Sequence, residues 1–266
     1  MNLTRSKIIV ASLSSAVIGL LSGLIGVGGG EFRLPILIGF LRLPVLFATA
    51  TNLIIGVLVS ATTFIFRFSL MTQMALRAAL FLSVVSLIGG YLGATLSGKI
   101  KEHIISYILT GFLVLVGFKL MLATFLTFGF SDVLLGTDLK LFLLYFGAFF
   151  IGVISGLFGV AGGEFRIPLL MGFADMPIKL AGTVSTLVAL PTQLGGLVKR
   201  CKLKHINQPN VKLAIVMGIS SVVGSFFGAK LVFYCNEKFL EFTLGFILVF
   251  AAIGIFRKKH GIVFSK

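Results

Sequence analysis

Apolar residues do not alternate along this chain; they come in long runs. Eight predominantly apolar stretches stand out, at 7–27, 44–66, 73–98, 104–126, 139–160, 178–198, 211–235 and 239–256. A helix needs about 20 such residues to cross about 30 Å of hydrocarbon. Barrel strands in a membrane alternate with period two, and backbone groups in lipid must find partners within their own segment. The pattern therefore predicts an all-α polytopic membrane protein of about eight transmembrane helices, with short connections and no soluble domain. Arg5 and Lys7 ahead of the first run have the look of a signal peptide. The same segment recurs in mid-chain, so a first membrane helix is the reading adopted.

The recurrence is extensive. Residues 22–40 (SGLIGVGGGEFRLPILIGF) and 155–173 (SGLFGVAGGEFRIPLLMGF) agree at fourteen of nineteen positions, at an offset of 133. TATNL at 49–53 resembles TVSTL at 183–187, and Gly89, Gly93 and Ala94 match Gly224, Gly228 and Ala229. The sequence thus predicts two homologous four-helix halves, 1–133 and 134–266, in a single transport unit. Four spans per half is an even number, so the halves are expected to be parallel, related by an axis along the membrane normal; were the stretch after each GGEFR to count as a full crossing, each half would have five and the repeats would invert. The apolar stretches LPILIGF and IPLLMGF are too short to span. They are expected as broken or re-entrant segments after the Gly-rich motifs.

Those motifs carry the candidate chemistry. Gly28, Gly29 and Gly30, then Gly162 and Gly163, interrupt apolar helices, and Pro35 and Pro168 follow. Irregular backbone in lipid survives only where protein buries it or where it lines a cavity. Paired interruptions in two halves are the best sequence pointer to a transporter's binding site. Freed amides and half-helix N-termini favour an anion. Glu31 with Arg33, and Glu164 with Arg166, stand between the glycines and the prolines. A charge at the bilayer centre costs about 2.5–3.5 kcal/mol on insertion scales, which marks these four as functional candidates. Arginine's planar fork suits oxyanions, and glutamate can balance charge or carry a proton. The bland alternative is two local Glu–Arg pairs that fix the loops. Thr51 and Asn52, with Ser185 and Thr186, add hydroxyls and an amide in the next spans; such groups bind oxyanions or join helices.

Composition agrees. The chain has 266 residues, 58% hydrophobic and 12% charged, with a mean hydropathy of +1.12, against about 25% charged for a soluble domain. A net charge of +15 would point to nucleic acid in a soluble protein. Here the basic residues flank apolar runs, led by Lys199, Arg200, Lys202 and Lys204 and by Arg257, Lys258 and Lys259. Read as a topology signal, they predict cytoplasmic termini and no nucleic-acid partner. The expected partners are a small anionic substrate, the lipid bilayer and a coupling proton or other ion. The oligomeric state is not legible.

Residues 26–35 and 159–168 resemble the twin GxGGGxxxxP signature of the sulfite exporter TauE/SafE family of membrane permeases, with Ala161 in place of one glycine. The Ala-x-Thr pattern near 48–53 and 181–187 is similar to that family too. The resemblance covers nearly the whole chain. It implies a permease of the prokaryotic cytoplasmic (inner) membrane that moves sulfite, an organosulfonate or another small sulfur-containing anion, coupled to an ion, with no cofactor and no metal. The four charged residues within the motif mark a variant of the pattern.

Other signals fail. GATLSGKI at 93–100 is one residue short of a P-loop, and GLLSG and GVISG misplace the serine of a nucleophile elbow. No nucleophile–base pair supports an enzyme. An anion channel, an intramembrane enzyme and a scaffold subunit remain the alternatives to a secondary transporter.

Overall fold

A computed structural model describes residues 5–97, 137–206, 208–246 and 249. The helices in chain order are α1 (Arg5–Ile25), α2 (Gly30–Pro35, running on through a π-helical turn at Ile36–Phe40), α3 (Val45–Arg67), α4 (Gln73–Leu96), α5 (Thr137–Phe158), α6 (Gly163–Phe173), α7 (Ile178–Lys202) and α8 (Gln208–Leu231). Residues 237–246 are helical as well. No strand occurs among the described residues. Among the described residues six segments are long and apolar enough to cross a bilayer: Ser6–Ile25, Val45–Leu70, Gln73–Leu96, Asp138–Phe158, Ile178–Lys202 and Val211–Leu231. The predicted span at 104–126 lies outside the described residues, and that at 239–256 lies only partly within them.

Local chemistry sets the helix ends. α3 and α7 start immediately after Pro44 and Pro177, whose backbones are extended (ψ 141° and 148°). Proline has no amide hydrogen to leave unsatisfied, so it is well tolerated at a helix start. Thr72 caps α4 by accepting a hydrogen bond from the Ala75 amide at 3.2 Å.

Burial is arranged for lipid. The surface carries large apolar side chains, such as Leu13 and Val17 on α1, Phe81 and Val84 on α4, Phe142 and Phe146 on α5, and Ile219 and Val223 on α8. Inside lie Ser15, Ser22, Asn52, Ser60, Thr63, Ser155, Gln193, Ser221 and four arginines. Lipid tails are as apolar as leucine, so helices here are held by close packing and internal hydrogen bonds.

The packing fixes the helix directions. α1 runs parallel to α8: a Cβ on Gly19 or Gly23 would strike the backbone of Ser221 or Ser225, and the Ser15 and Ser221 hydroxyls bond at 2.8 Å. α5 meets α4 in the same way, Gly152 against Ser86 and Gly156 against Gly90. α8 is parallel to α3, with Gly218 beside Leu58 and the Phe66 and Phe226 rings 4.7 Å apart. α3 and α7 are antiparallel: Leu53 touches Gly196, Ser60 bonds Gln193 at 3.4 Å, and Arg67 bonds the Lys179 carbonyl at 2.7 Å.

It follows that α1 and α3 point the same way, and α2 carries the chain back between them. α6 does the same between α5 and α7. Each half-helix of eleven residues rises about 16 Å, roughly half the hydrocarbon thickness. Equivalent helices of the two copies therefore point in opposite directions, which overturns the parallel arrangement expected from the sequence. Counting long apolar runs omits the short return limbs, and those limbs reverse the parity.

Candidate functional site

The two hairpins have their tips at residues 26–29 and 159–162. α1 and α5 end where the Gly26 and Gly159 amides donate to the Ser22 and Ser155 carbonyls at 2.7 and 2.8 Å. α2 and α6 begin after Gly29 (φ 66°) and Gly162 (φ 74°), left-handed conformations that glycine adopts without penalty. The tips touch one another. A Cβ on Gly28 would strike the Ala161 methyl, one on Gly163 would strike the Val27 backbone, and one on Gly30 would lie 3.1 Å from the Val160 Cα. Gly28 and Ala161 are equivalent positions, so the tips meet residue on matching residue.

The charged residues hold these tips. Arg33 and Arg166 are both 0% exposed. Arg33 donates through Nη2 to the Gly28 carbonyl and through Nη1 to Asn52 Oδ1 at 3.3 Å. Arg166 donates through Nη1 to the Ala161 carbonyl at 3.3 Å and to the Ser185 carbonyl at 3.2 Å. Asn52 links the copies: its Nδ2 donates to the Gly30 carbonyl at 3.1 Å and to the Gly159 carbonyl at 2.7 Å.

Glu31, half-buried, and Glu164, buried, lie within electrostatic range of each other, and each lies within range of its own arginine. Both Glu31 carboxylate oxygens and Glu164 Oε2 have no hydrogen-bond partner among the described residues, and neither do Arg166 Nε and Nη2 or Ser185 Oγ. The ion pair among those residues joins Lys140 to Asp175 at 3.3 Å, and no carboxylate of the described residues comes within 4 Å of Arg33 or Arg166. Nε and Nη2 form one edge of a guanidinium, the edge that accepts an oxyanion through two parallel bonds. The tips thus gather two guanidiniums and two carboxyl groups, with unpartnered polar atoms on both kinds of group.

The remaining sequence candidates divide. Gly28, Gly29, Gly30, Gly162 and Gly163 make the tips. Pro168 is buried inside α6, whereas Pro35 is exposed. Thr51 and Thr186 donate to the Phe47 and Thr183 carbonyls of their own helices, each at 2.8 Å, and so spend their hydroxyl protons locally. The likeness of TATNL to TVSTL was a shift of 134, but the contacts keep 133: Asn52 and Ser185 take the equivalent arginines. Arg67 and Arg200, 133 apart and each 0% exposed, escaped the sequence reading. In the sequence Arg200 belongs to the basic run that reads as a topology signal. The signal that finds them is an identical residue at the repeat offset.

The TauE family model, described as sulfite exporter TauE/SafE, matches residues 2–120 and 144–264. The chain is 27% identical over 251 residues to the "Probable membrane transporter protein MJ0441" of Methanocaldococcus jannaschii, covering 90% of this chain and 91% of that one. It is 32% identical over 107 residues to the "Probable membrane transporter protein YdhB" of Bacillus subtilis, covering 40% and 42%. No solved structure matches the chain. Duplicated Gly–Pro interruptions, buried charge and a match along nearly the whole length make one conclusion: this chain belongs to the sulfite exporter TauE/SafE family of multi-pass membrane transporters.

Proposed function

We propose that the chain is a secondary transporter that carries a small sulfur-containing oxyanion, such as sulfite or an organosulfonate, across a prokaryotic cytoplasmic membrane with both termini on the cytoplasmic side. Its halves, 1–133 and 134–266, work about the contact between the tips, exposing the centre alternately to each side. The observation that carries this reading is the meeting of the tips beside Glu31, Arg33, Glu164 and Arg166. The free edge of Arg166 and the Ser185 hydroxyl receive the anion's oxygens. Arg33 and Asn52 keep the tips in shape, and the tip amides complete the cradle.

Charge balance supplies the coupling. With both carboxyls ionised, two guanidiniums and two carboxylates cancel, and an incoming anion then leaves the buried site with net negative charge. A proton taken by the Glu31–Glu164 pair restores neutrality and travels with the anion. In proteoliposomes loaded by a pH step, sulfite uptake should follow the proton gradient. Arg166→Gln should lower flux at least about tenfold, the worth of one charge-assisted contact. Glu31→Gln with Glu164→Gln should leave any residual flux indifferent to pH. Wild-type flux from the double glutamine chain under a pH gradient would discard the coupling; unaltered flux from Arg166→Gln would discard the site.

A further inference from the structure

The seam between α3 and α7 contains a second pair of buried guanidiniums that the tips do not use. Arg67 closes α3 and Arg200 lies near the end of α7. Arg67 donates to the Gly23 carbonyl at 3.4 Å and to the Lys179 carbonyl at 2.7 Å. Arg200 donates to the Gly156 and Leu157 carbonyls at 3.0 Å each. Gly23 and Gly156 are equivalent positions in the last turns of α1 and α5. Those carbonyls are the unsatisfied, partially negative ends of the helices. Each arginine is thus held by neutral dipoles, and among the described residues no carboxylate lies within 4 Å of it. Arg67 Nε and Arg200 Nε and Nη1 have no hydrogen-bond partner there, although both residues are fully buried.

Between the two arginines runs a buried strip of small and polar side chains. On α3 it is Asn52, Gly56, Ser60 and Thr63; on α7 the strip includes Ser185 and Gln193. Spacings of three, four and eight residues keep these positions on one helix face. Because α3 and α7 are antiparallel, Arg67 and Arg200 sit at opposite ends of this seam, about 27 Å apart along the helix axes. Ser60 and Gln193 meet between them.

Building on the anion-carrying reading above, we propose that Arg67 and Arg200 are oxyanion-binding residues, one for each mouth of the protein, and that an incoming anion displaces the helix-end carbonyls that hold them. A full negative charge with two oxygens outcompetes carbonyl dipoles for a guanidinium edge. The exchange frees the last turn of α1 at one mouth, or of α5 at the other. The hairpin released is the one on the side the anion enters, so anion arrival and opening are one event. Arg67 also ties α3 to α7, so the two mouths are not identical.

The test uses Ser22 and Ser155, which adjoin Gly23 and Gly156 and are 1% and 0% exposed. In the full chain with Cys201→Ser and Cys235→Ser, Ser22→Cys and Ser155→Cys report the two mouths through alkylation by a maleimide, with sulfate as the probe anion. Sulfate should speed alkylation of each reporter about tenfold, the scale of one charge-assisted contact. Arg67→Gln should abolish the sulfate response of the Ser22 reporter and spare that of Ser155; Arg200→Gln should do the reverse. Loss of both responses in either variant, or no response in the parent chain, overturns the proposal. Should a glutamine variant fail to fold, Arg67→Lys and Arg200→Lys keep the charge without the fork. A response weakened at one reporter supports the proposal there, and equal weakening at both overturns it. If the parent chain carries no sulfite in vesicles while the sided responses persist, the transport reading falls and the mouths stand; sulfite flux without sided responses has the opposite meaning.

Discussion

Where the hairpin tips cross, there is room for one methyl group. Ala161 supplies it, and Gly28 stands opposite with φ 92°. Gly28→Ala would add a second methyl and force a left-handed alanine, together costing about 2–4 kcal/mol. Thermal unfolding in detergent should show this as a clear loss of Tm, whereas Ala161→Gly should lower Tm far less. Asn52→Ala should cost about 2–4 kcal/mol on the same measurement, because it leaves two buried carbonyls and the Arg33 guanidinium short of partners. Outside the membrane-spanning segments, burial and then the charge of Arg200 hold the His205 imidazole below its usual value. The folded state therefore resists protonating it, and its loop loses stability as pH falls below the unfolded histidine value of about 6.5. Protection factors against hydrogen exchange at 203–206 should fall between pH 7 and pH 5, and His205→Gln should flatten that fall. The charges of the tips were legible because GGEFR is repeated. Arg67 and Arg200 were not, because a lone arginine near the end of an apolar run has the same appearance whether it faces water or a helix end.

Among the described residues helix positions were legible and helix directions were not. The apolar stretches at 44–66 and 178–198 announced the starts of α3 and α7, and the glycine clusters announced the ends of α1 and α5. Whether the eleven residues after each cluster go on or turn back depends on which helices they return to, and hydropathy is blind to that. Direction is written instead in small residues, since Gly19, Gly23, Gly152 and Gly156 admit neighbouring backbones at successive turns. Leucine at Gly152 would push α4 from α5. We expect Gly152→Leu to destabilise the fold by several kcal/mol, beyond the usual 1–3 kcal/mol of core overpacking, since the obstruction is backbone. Gly39, with open space around it, should accept alanine without change in Tm, and the pair of variants tests the packing.

At the scale of the molecule, each half is completed by the other. Ser15 and Ser221 bond at 2.8 Å across 206 positions. Ser15→Cys with Ser221→Cys, in a chain lacking the native cysteines, should form a disulfide under mild oxidation. After proteolysis near residue 133 the fragments should stay joined until reduced; separation without reductant would refute the α1–α8 pairing. The same pairing sets a timetable for biogenesis. α1 leaves the ribosome about 200 residues before its partner, a delay of roughly 10–40 s at 5–20 residues per second. Throughout that interval its serines face lipid or a chaperone, so the membrane insertase must shelter the first helix until the last part of the chain arrives.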